Sequence, residues 1–199
     1  MCRYRFFIPS SNSKLSPNNK LLPTSVNNSL NWPRAAAWSI DSPLSESKIP
    51  PALRSLVTDR GSLTQALQLI DANSFEVRVL CQRLARPYFH EQLKLGRKLE
   101  YAALIREVEL CLFGTAVVYA RSIIPLGLLR QGQRGLAGLG KKPLGEVLFS
   151  GGNIRVSKRE YLFFDLNGKL QVARRTPYDY QGHTILVSEF FLPSLNALI

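Results

Sequence analysis

Alternating apolar and polar side chains predict β-strands along most of the chain after residue 74. The run FEVRV at residues 75–79 places every second side chain on one face, as expected of a half-buried strand. A hairpin is predicted over residues 102–125, because two strand-like runs flank a break at Gly114-Thr115. Further strands are predicted over 154–164, 170–180 and 184–192, with turn signals at Asn167-Gly168 and Gln181-Gly182. Sequential strands joined by tight turns indicate an antiparallel sheet.

Helical spacing is confined to the start and the middle of the chain. Residues 51–58 begin with proline and predict a short helix, since proline is tolerated in a first helical turn. Ser62 is a candidate N-cap for a second helix over Leu63–Ile70, whose apolar side chains share one face. Residues 126–152 predict short helices separated by glycines. A few helices combined with sequential strands make this an α+β fold.

The sequence divides into an N-terminal extension and one domain. Residues 1–30 are rich in Ser, Asn, Lys and Pro, and they hold little that could offset the entropy cost of ordering. This composition predicts a disordered or weakly ordered extension. A transit peptide is the alternative, since the start is poor in acids, rich in Ser and carries Arg3 and Arg5. Residues 31–199 are long enough to bury the core of a single domain.

The charge of the chain is compatible with an anionic partner of any size. The formal net charge is +12, from 26 basic and 14 acidic side chains, but no block of five like charges forms a basic arm. No uncharged apolar run approaches the roughly 18 residues that cross a bilayer, so no membrane span is expected. Three scattered cysteines favour a reducing compartment over a disulfide framework.

Standard catalytic and metal-binding motifs are missing from the sequence. Cys81 and Cys111 lie in strand patterns without a CxxC pair and are expected to be buried apolar side chains. His90 and His183 fall at predicted loop or turn positions and are expected to face solvent. The segment 135–142 matches the GxxxxGK of a phosphate loop but lacks the Ser or Thr that would hold magnesium. A flexible connector, able to serve as a lid, is the simpler interpretation.

Two charged residues share a strand face with apolar neighbours. Arg106 is in phase with the apolar residues at 104, 108 and 110, and Glu189 with those at 185, 187 and 191. Both side chains are therefore expected to point inward, where an unpaired charge would cost several kcal/mol. Either the two residues form an internal salt bridge, or they line a closed polar pocket that binds an anionic ligand.

Three segments resemble the chorismate lyase family. LIREVELCLFGTAVVYARSIIP matches the family's REI/V-x-L strand, short turn and A-x-R-[ST]-[VI]-[VI]-P strand. LGKKPLGEVLF matches its LG-x-x-PLG-x-x-LF segment, and ILVSEFFLP matches the closing E-[LF]-F-LP. The resemblance covers about residues 50–193 and is weak before residue 75. The long N-terminal region and the stretch Gly61–Thr64 favour the cyanobacterial and plastid branch of the family.

The resemblance implies a fold and a reaction. The fold would be a single, mainly antiparallel sheet of about six strands, with helices on one side and helical flaps over an enclosed ligand pocket. The reaction would remove pyruvate from chorismate to leave 4-hydroxybenzoate for ubiquinone or plastoquinone synthesis, with no cofactor or metal. A cytoplasmic protein is implied, or a stromal one if the source has plastids. We expect a monomer or weak dimer without a nucleic-acid partner.

The resemblance also assigns site residues by position. The ligand-binding arginine and glutamate of the family fall on Arg106 and Glu189, the two residues that strand phase turns inward. The leucine of the PLG segment falls on Leu144, and a contact near the first helices falls on Leu63; both would offer backbone N–H groups and apolar cover. Arg121 matches a family arginine by position; either it reaches the enolpyruvyl carboxylate or it lies on the outer face. The pair at 174–175 is expected to be solvated.

Two other function classes compete with this one. The same fold resembles the effector-sensing domain of some transcription regulators, which bind small ligands without catalysis. No helix-turn-helix pattern is visible in residues 1–50, where a DNA-binding partner would lie, so this class ranks second. Nucleic-acid binding driven by the net charge ranks third, because it needs aromatic and basic side chains interleaved on an open sheet face.

Overall fold

Seven strands form one antiparallel sheet in the computed structural model, which describes residues 38–40, 49, 51–96, 102–150, 154–166 and 168–199. The strands are β1 (Glu76–Ala85), β2 (Ala103–Leu112), β3 (Thr115–Pro125), β4 (Ile154–Val156), β5 (Glu160–Leu166), β6 (Lys169–Tyr180) and β7 (His183–Phe191). Their order across the sheet is β1-β2-β3-β7-β6-β4, and β5 also pairs with β6. The α+β class with an antiparallel sheet is confirmed. The predicted extension, residues 1–30, lies outside the described residues, and the start of the domain stays a prediction.

The strand count differs from the expected six because the strand predicted over 154–164 is two strands. Val156 of β4 pairs with Tyr178, and Glu160 of β5 pairs with Arg175. The three residues between β4 and β5 therefore face only two on β6, one of which is Pro177. Proline has no N–H to donate to a ladder, so the pairing is interrupted there. The segment 157–159 is not part of either strand, although the Ser157 N–H still donates to the Pro177 carbonyl at 3.0 Å.

Five α-helices accompany the sheet in the described residues. They are α1 (Pro51–Thr58), α2 (Leu63–Ile70), α3 (Phe89–Leu95), α4 (Leu126–Arg130) and α5 (Leu144–Ser150), with 3₁₀ turns at Arg134–Leu136 and Leu195–Ala197. The first two have the predicted bounds, and the Ser62 Oγ caps α2 by accepting the Gln65 N–H at 3.4 Å. Helix α3 was not predicted, because it is one short element that buries Glu91 and leaves Phe89 exposed.

The helices cover both faces of the sheet. Apolar side chains of α1 and α2 pack with Val108 and Leu110, and those of α4 and α5 pack with Leu104 and Tyr178. We call this the cavity face. Helix α3 lies on the other side, which we call the reverse face, where its Leu95 joins a separate cluster. The expected arrangement, with helices on one side only, is wrong for α3.

The strand register fixes the relation between Arg106 and Glu189. Strand β3 lies between β2 and β7, and it pairs Ser122 with Arg106 and Ala120 with Glu189. Both charged residues therefore point to the cavity face, as their phase predicted, offset by two positions along β3. Two strand spacings separate their backbones by about 10 Å across the sheet, which leaves room for one small ring between the side chains.

Candidate active site

A cavity lies between the cavity face of the sheet and the first residues of α2 and α5. The space inside it, including its mouth, is ≈ 560 Å³. Four of the residues carried over from the family line it, namely Leu63, Arg106, Leu144 and Glu189. The remaining wall is formed by apolar side chains with a few hydroxyls, among them Val77, Val108, Leu110, Ala120, Ser122, Leu148, Phe149, Tyr178 and Val187. An apolar shell with a few polar groups is the usual make-up of a small-molecule site.

Arg106 is a buried cation held by neutral acceptors. The residue is 2% exposed, and burial lowers the pKa of its guanidinium. Its Nη1 donates to Gln82 Oε1 at 2.8 Å, and its Nη2 donates to the carbonyls of Gly140 and Lys142 at 2.8 and 3.1 Å. Within the described ranges, no carboxylate lies at ion-pair distance from it. Its positive charge is thus solvated by dipoles only and is suited to an anionic ligand.

Glu189 is held from behind by a second arginine. Its Oε2 accepts the Nε–H of Arg174 at 2.5 Å, and Arg174 is fully buried, at 0% exposed. Arg174 also donates from Nη1 to the carbonyls of Leu56 and Asp59, at 2.6 and 3.0 Å. Burial opposes the charge of Arg174, but Glu189 outweighs it and raises the pKa of the guanidinium.

This arrangement decides between the two possibilities that strand phase left open. Arg106 and Glu189 do not form an internal salt bridge with each other, because each is bonded to different partners. The expectation that Arg174 and Arg175 are solvated is wrong, since they are 0% and 2% exposed. Two consecutive arginines in a strand are solvated only if no carboxylates from other strands pack against them.

The first turns of α2 and α5 close the cavity opposite the sheet. Ser62, Leu63 and Thr64 come from one helix start, and Pro143, Leu144 and Gly145 from the other. The two approach closely, since a Cβ on Gly145 would lie 3.3 Å from Ser62 Oγ. The first N–H groups of a helix have no acceptor within the helix. The backbone at Leu63 and Leu144 can therefore offer donors to a ligand beneath it.

The sequence comparisons decide the family. The family model described as chorismate lyase matches residues 33–197, nearly the whole of the described structure. The chain belongs to the chorismate lyase family. Proteins named probable chorismate pyruvate-lyase from Thiobacillus denitrificans and Methylococcus capsulatus are each 37% identical to it. These alignments cover 73% and 72% of this chain, and 85% and 96% of the two relatives.

Similarity to solved structures is weak. A GntR-family transcriptional regulator from Enterococcus faecalis aligns with 59% of this chain and 94% of its own, at 14% identity and a TM-score of 0.45. A likeness at this level carries no argument about fold or function. The chorismate lyase family therefore rests on sequence, and the fold is the one described above.

Arg121 lies outside the cavity of this chorismate lyase family member. It points to the reverse face, where Nε donates to Glu91 Oε1 at 2.8 Å and Nη1 to Glu107 Oε1 at 2.5 Å. Its guanidinium also stacks on the Tyr88 ring, 4.5 Å from the centroid. Burial opposes its charge, but the hydrogen bonds and charge of Glu91 raise the pKa of Arg121. The suggestion that Arg121 reaches the enolpyruvyl carboxylate is therefore corrected; strand parity alone had left both faces open.

A second ion cluster on the reverse face surrounds Arg175. Its Nη2 donates to Glu160 Oε2 at 2.6 Å, Lys94 pairs with the other oxygen of the same carboxylate, and the Trp38 ring lies 4.5 Å from the guanidinium. Arg175 Nη1 meets His90 Nδ1 at 3.0 Å. His90 is thus half-buried in α3 and does not face solvent as expected; burial lowers its pKa. Its contacts depend on α3, which sequence patterning missed.

Several cavity residues escaped sequence reasoning. Beside the cavity, Gln82 on β1 accepts from Arg106, and its own Nε2 donates to Ala137 O at 2.6 Å, which ties the glycine-rich connector to β1. A polar residue on an exposed strand gives no sign of this without the register to β2. Ser122 and Tyr178 also line the cavity. The phase of Ser122 with Ala120 was a usable signal, whereas Tyr178 follows Pro177 in a strand whose facing partners were unknown.

Cys81 and Cys111 are buried, as expected, and burial raises the pKa of Cys111 to about 11. In the part of the chain that the structure describes, no three or more His, Cys, Asp or Glu side chains are grouped to hold a metal ion. No helix there is long and apolar enough to cross a membrane.

Proposed function

We propose that this protein is a chorismate lyase, which eliminates pyruvate from chorismate and releases 4-hydroxybenzoate. The observation that carries the proposal is Arg106, a buried guanidinium bonded to neutral acceptors and turned into the same cavity as Glu189. The family membership and the relatives named for this activity support it. A carboxylate at Arg106 and a hydroxyl at Glu189 match the two ends of the product.

The proposed roles follow from hydrogen-bond chemistry. Arg106 binds the ring carboxylate through N–H groups not bonded to Gln82, Gly140 or Lys142, and a charge-assisted bond of this kind is strong and directional. The N–H groups at Leu63 and Leu144 add donors from above. Glu189, whose other oxygen is held by Arg174, accepts the hydrogen bond of the ring hydroxyl.

The reaction needs little more from the protein than position and dryness. The ether bond between ring C3 and the enolpyruvyl oxygen breaks, the hydrogen on C4 is lost, and the ring becomes aromatic. The departing enolpyruvate gains one proton and becomes pyruvate. Because aromatisation drives the step, the residues contribute by holding the reactive conformer and excluding water.

A direct assay tests the proposal. Purified protein is incubated with chorismate, and 4-hydroxybenzoate and pyruvate are measured separately. We expect equimolar formation of both. A protein that binds 4-hydroxybenzoate but leaves chorismate unchanged would be a ligand sensor and would overturn the proposal.

Finer features of the proposal rest on the sequence alone. They include the cyanobacterial and plastid branch, to which the relatives from Thiobacillus and Methylococcus lend no support. We retain as proposals a cytoplasmic location, a monomer or weak dimer without a nucleic-acid partner, a reaction without cofactor, and a product used for ubiquinone. Plastoquinone is proposed only together with the plastid branch.

A further inference from the structure

Arg159 is a cation on the cavity face with an unused hydrogen-bond donor. It lies in the connection between β4 and β5, where the ladder is interrupted opposite Pro177. Its Nε donates to Thr176 Oγ1 at 2.9 Å, and its Nη1 donates to the Asp59 carbonyl. Its Nη2 is buried and has no hydrogen-bond partner among the residues that the structure describes. A buried N–H without an acceptor is costly, so such a group calls for an explanation.

Arg159 is not in the cavity lining itself, but its neighbours lie beside the Glu189 end of the cavity. The Asp59 carbonyl that it binds also accepts from Arg174, which holds Glu189. Thr176 pairs with Val187 across β6 and β7, and Val187 lines the cavity. Tyr178, two residues further along the same face of β6, is also in the lining. Its hydroxyl has a raised pKa, chiefly from burial and Glu189, while Arg174 and Arg159 oppose the rise.

The charges on this face are unbalanced. Arg106, Arg159 and Arg174 face one carboxylate, that of Glu189, in the described part of the site. The nearby Asp59 carboxylate is exposed, and its Oδ1 accepts the Gly61 N–H at 3.0 Å. Apart from the exposed Asp59, whose charge also acts on Arg174, two positive charges are left over beside the cavity. Chorismate carries two carboxylates, one on the ring and one on the enolpyruvyl group, whereas 4-hydroxybenzoate carries one.

We propose that Arg159 binds the enolpyruvyl carboxylate of the substrate, the role that the sequence had offered to Arg121. The inference rests on the proposed function. In chorismate the enolpyruvyl ether is attached to the ring carbon next to the one that bears the hydroxyl. With the ring carboxylate on Arg106 and the hydroxyl on Glu189, the second carboxylate points to the end of the cavity beside which Arg159 lies. Arg159 then holds the leaving group in place for the elimination.

The experiment compares a dicarboxylate with a monocarboxylate. In Arg159→Met, Arg159→Lys and wild type, we measure KM and kcat for chorismate, and Kd for 4-hydroxybenzoate by titration. Lys158→Met is the matched control, because it removes the same charge from the neighbouring exposed position. Thermal unfolding of each variant measures how much stability is lost with the hydrogen bonds from Arg159 to Asp59 and Thr176.

The proposal predicts a selective loss. Arg159→Met should raise KM for chorismate by roughly 10- to 100-fold, the usual worth of one charged hydrogen bond, and should change Kd for 4-hydroxybenzoate by less than about threefold. Arg159→Lys should recover part of the chorismate affinity, and Lys158→Met should match wild type. Equal weakening of both ligands would assign Arg159 a purely structural role and overturn the inference, as would no weakening of either. An inert wild type would instead overturn the proposed function, and this inference with it.

Discussion

Both faces of the sheet bury arginines, but the groups that accept their hydrogen bonds differ between Arg106 on the cavity face and Arg121 and Arg175 on the reverse face. On the reverse face, Arg121 and Arg175 each meet carboxylates directly, through Glu91, Glu107 and Glu160. Lys94 completes this set, so its three cations and three carboxylates balance. On the cavity face, Arg106 meets an amide oxygen and two backbone carbonyls. Arg174 on the cavity face is also paired with a carboxylate, that of Glu189, so it is Arg106 whose charge is available to a ligand.

The difference shows that burial of a charge does not by itself mark a site. In a buried ion pair with complete hydrogen bonds, the carboxylate already compensates the charge of the cation, so the cation does not attract a further anion. A buried cation held by neutral oxygens keeps its charge uncompensated, and a ligand carboxylate can supply the compensation. Arg106 and Arg121 lie on adjacent strands of one sheet and form a matched pair for testing this distinction.

The largest effect is expected on the free energy of unfolding, when the ion pairs of Arg121 on the reverse face are removed. Arg121→Met leaves the buried Glu91 and the partly buried Glu107 without their partner, which should lower the free energy of unfolding by about 3–5 kcal/mol. Urea denaturation measures this, with the exposed Arg83→Met as control. The folded fraction of Arg121→Met should keep the wild-type Kd for 4-hydroxybenzoate. A tenfold loss of that affinity would place Arg121 in the site after all.

Breaking the cavity face should cost activity instead. Arg106→Met removes the ring-carboxylate contact, so kcat/KM for chorismate should fall by roughly 100-fold or more. Its free energy of unfolding should fall by less than that of Arg121→Met, because no carboxylate is left unpaired. Steady-state kinetics and urea denaturation on the same preparation check both statements. Wild-type kcat/KM in this variant would rule out Arg106 as the carboxylate-binding residue.

Glu189→Gln should have a smaller effect on the same parameter. The amide keeps an oxygen that can accept a hydrogen bond, but it loses the charge that Arg174 stabilises, so kcat/KM should fall by roughly 10- to 100-fold. Glu189→Ala is the companion variant and should fall further. If Gln and wild type were equally active, neither the charge of Glu189 nor its ion pair with Arg174 would matter for turnover.

The smallest expected effect is on the pH dependence of stability, and it concerns His90 on the reverse face. Burial lowers the pKa of His90 from its ordinary value of 6.5, so the folded protein holds the neutral ring, with Nδ1 accepting from Arg175. The unfolded chain then binds more protons than the folded one, and stability is lost as the pH falls from the ordinary value through the folded pKa. Glu91 and Glu160 lie nearby, but both are present in wild type and in His90→Gln. The difference in unfolding free energy between wild type and His90→Gln should therefore shrink as the pH falls from 8 to 5; a constant difference would contradict it.

Strand phase was enough to predict the face of the sheet to which Arg106 and Glu189 point. Arg106 and Glu189 were turned inward by period-two alternation, which a sheet with one packed face obeys. The turn at Gln181-Gly182 was also predicted from the residue types. In the structure both residues have positive φ, 48° and 75°. Helices α1 and α2 followed from a proline start and from the Ser62 cap.

What the sequence could not supply is pairing between distant strands and helices. The partners of Arg121, Arg174 and Arg175 come from α3, β2, β5 and β7, and phase says nothing about which carboxylate arrives opposite a given arginine. Arg159 was missed for the same reason, since its position follows from an interrupted ladder opposite Pro177. Helix α3 was missed because its buried face includes Glu91.

A crystal structure with 4-hydroxybenzoate tests the central distinction most directly. We expect the ring in the cavity, its carboxylate on Arg106 and the N–H groups at Leu63 and Leu144, and its hydroxyl on Glu189, with the reverse-face ion pairs unchanged. A ring bound elsewhere, or bound with its carboxylate away from Arg106, would contradict the account.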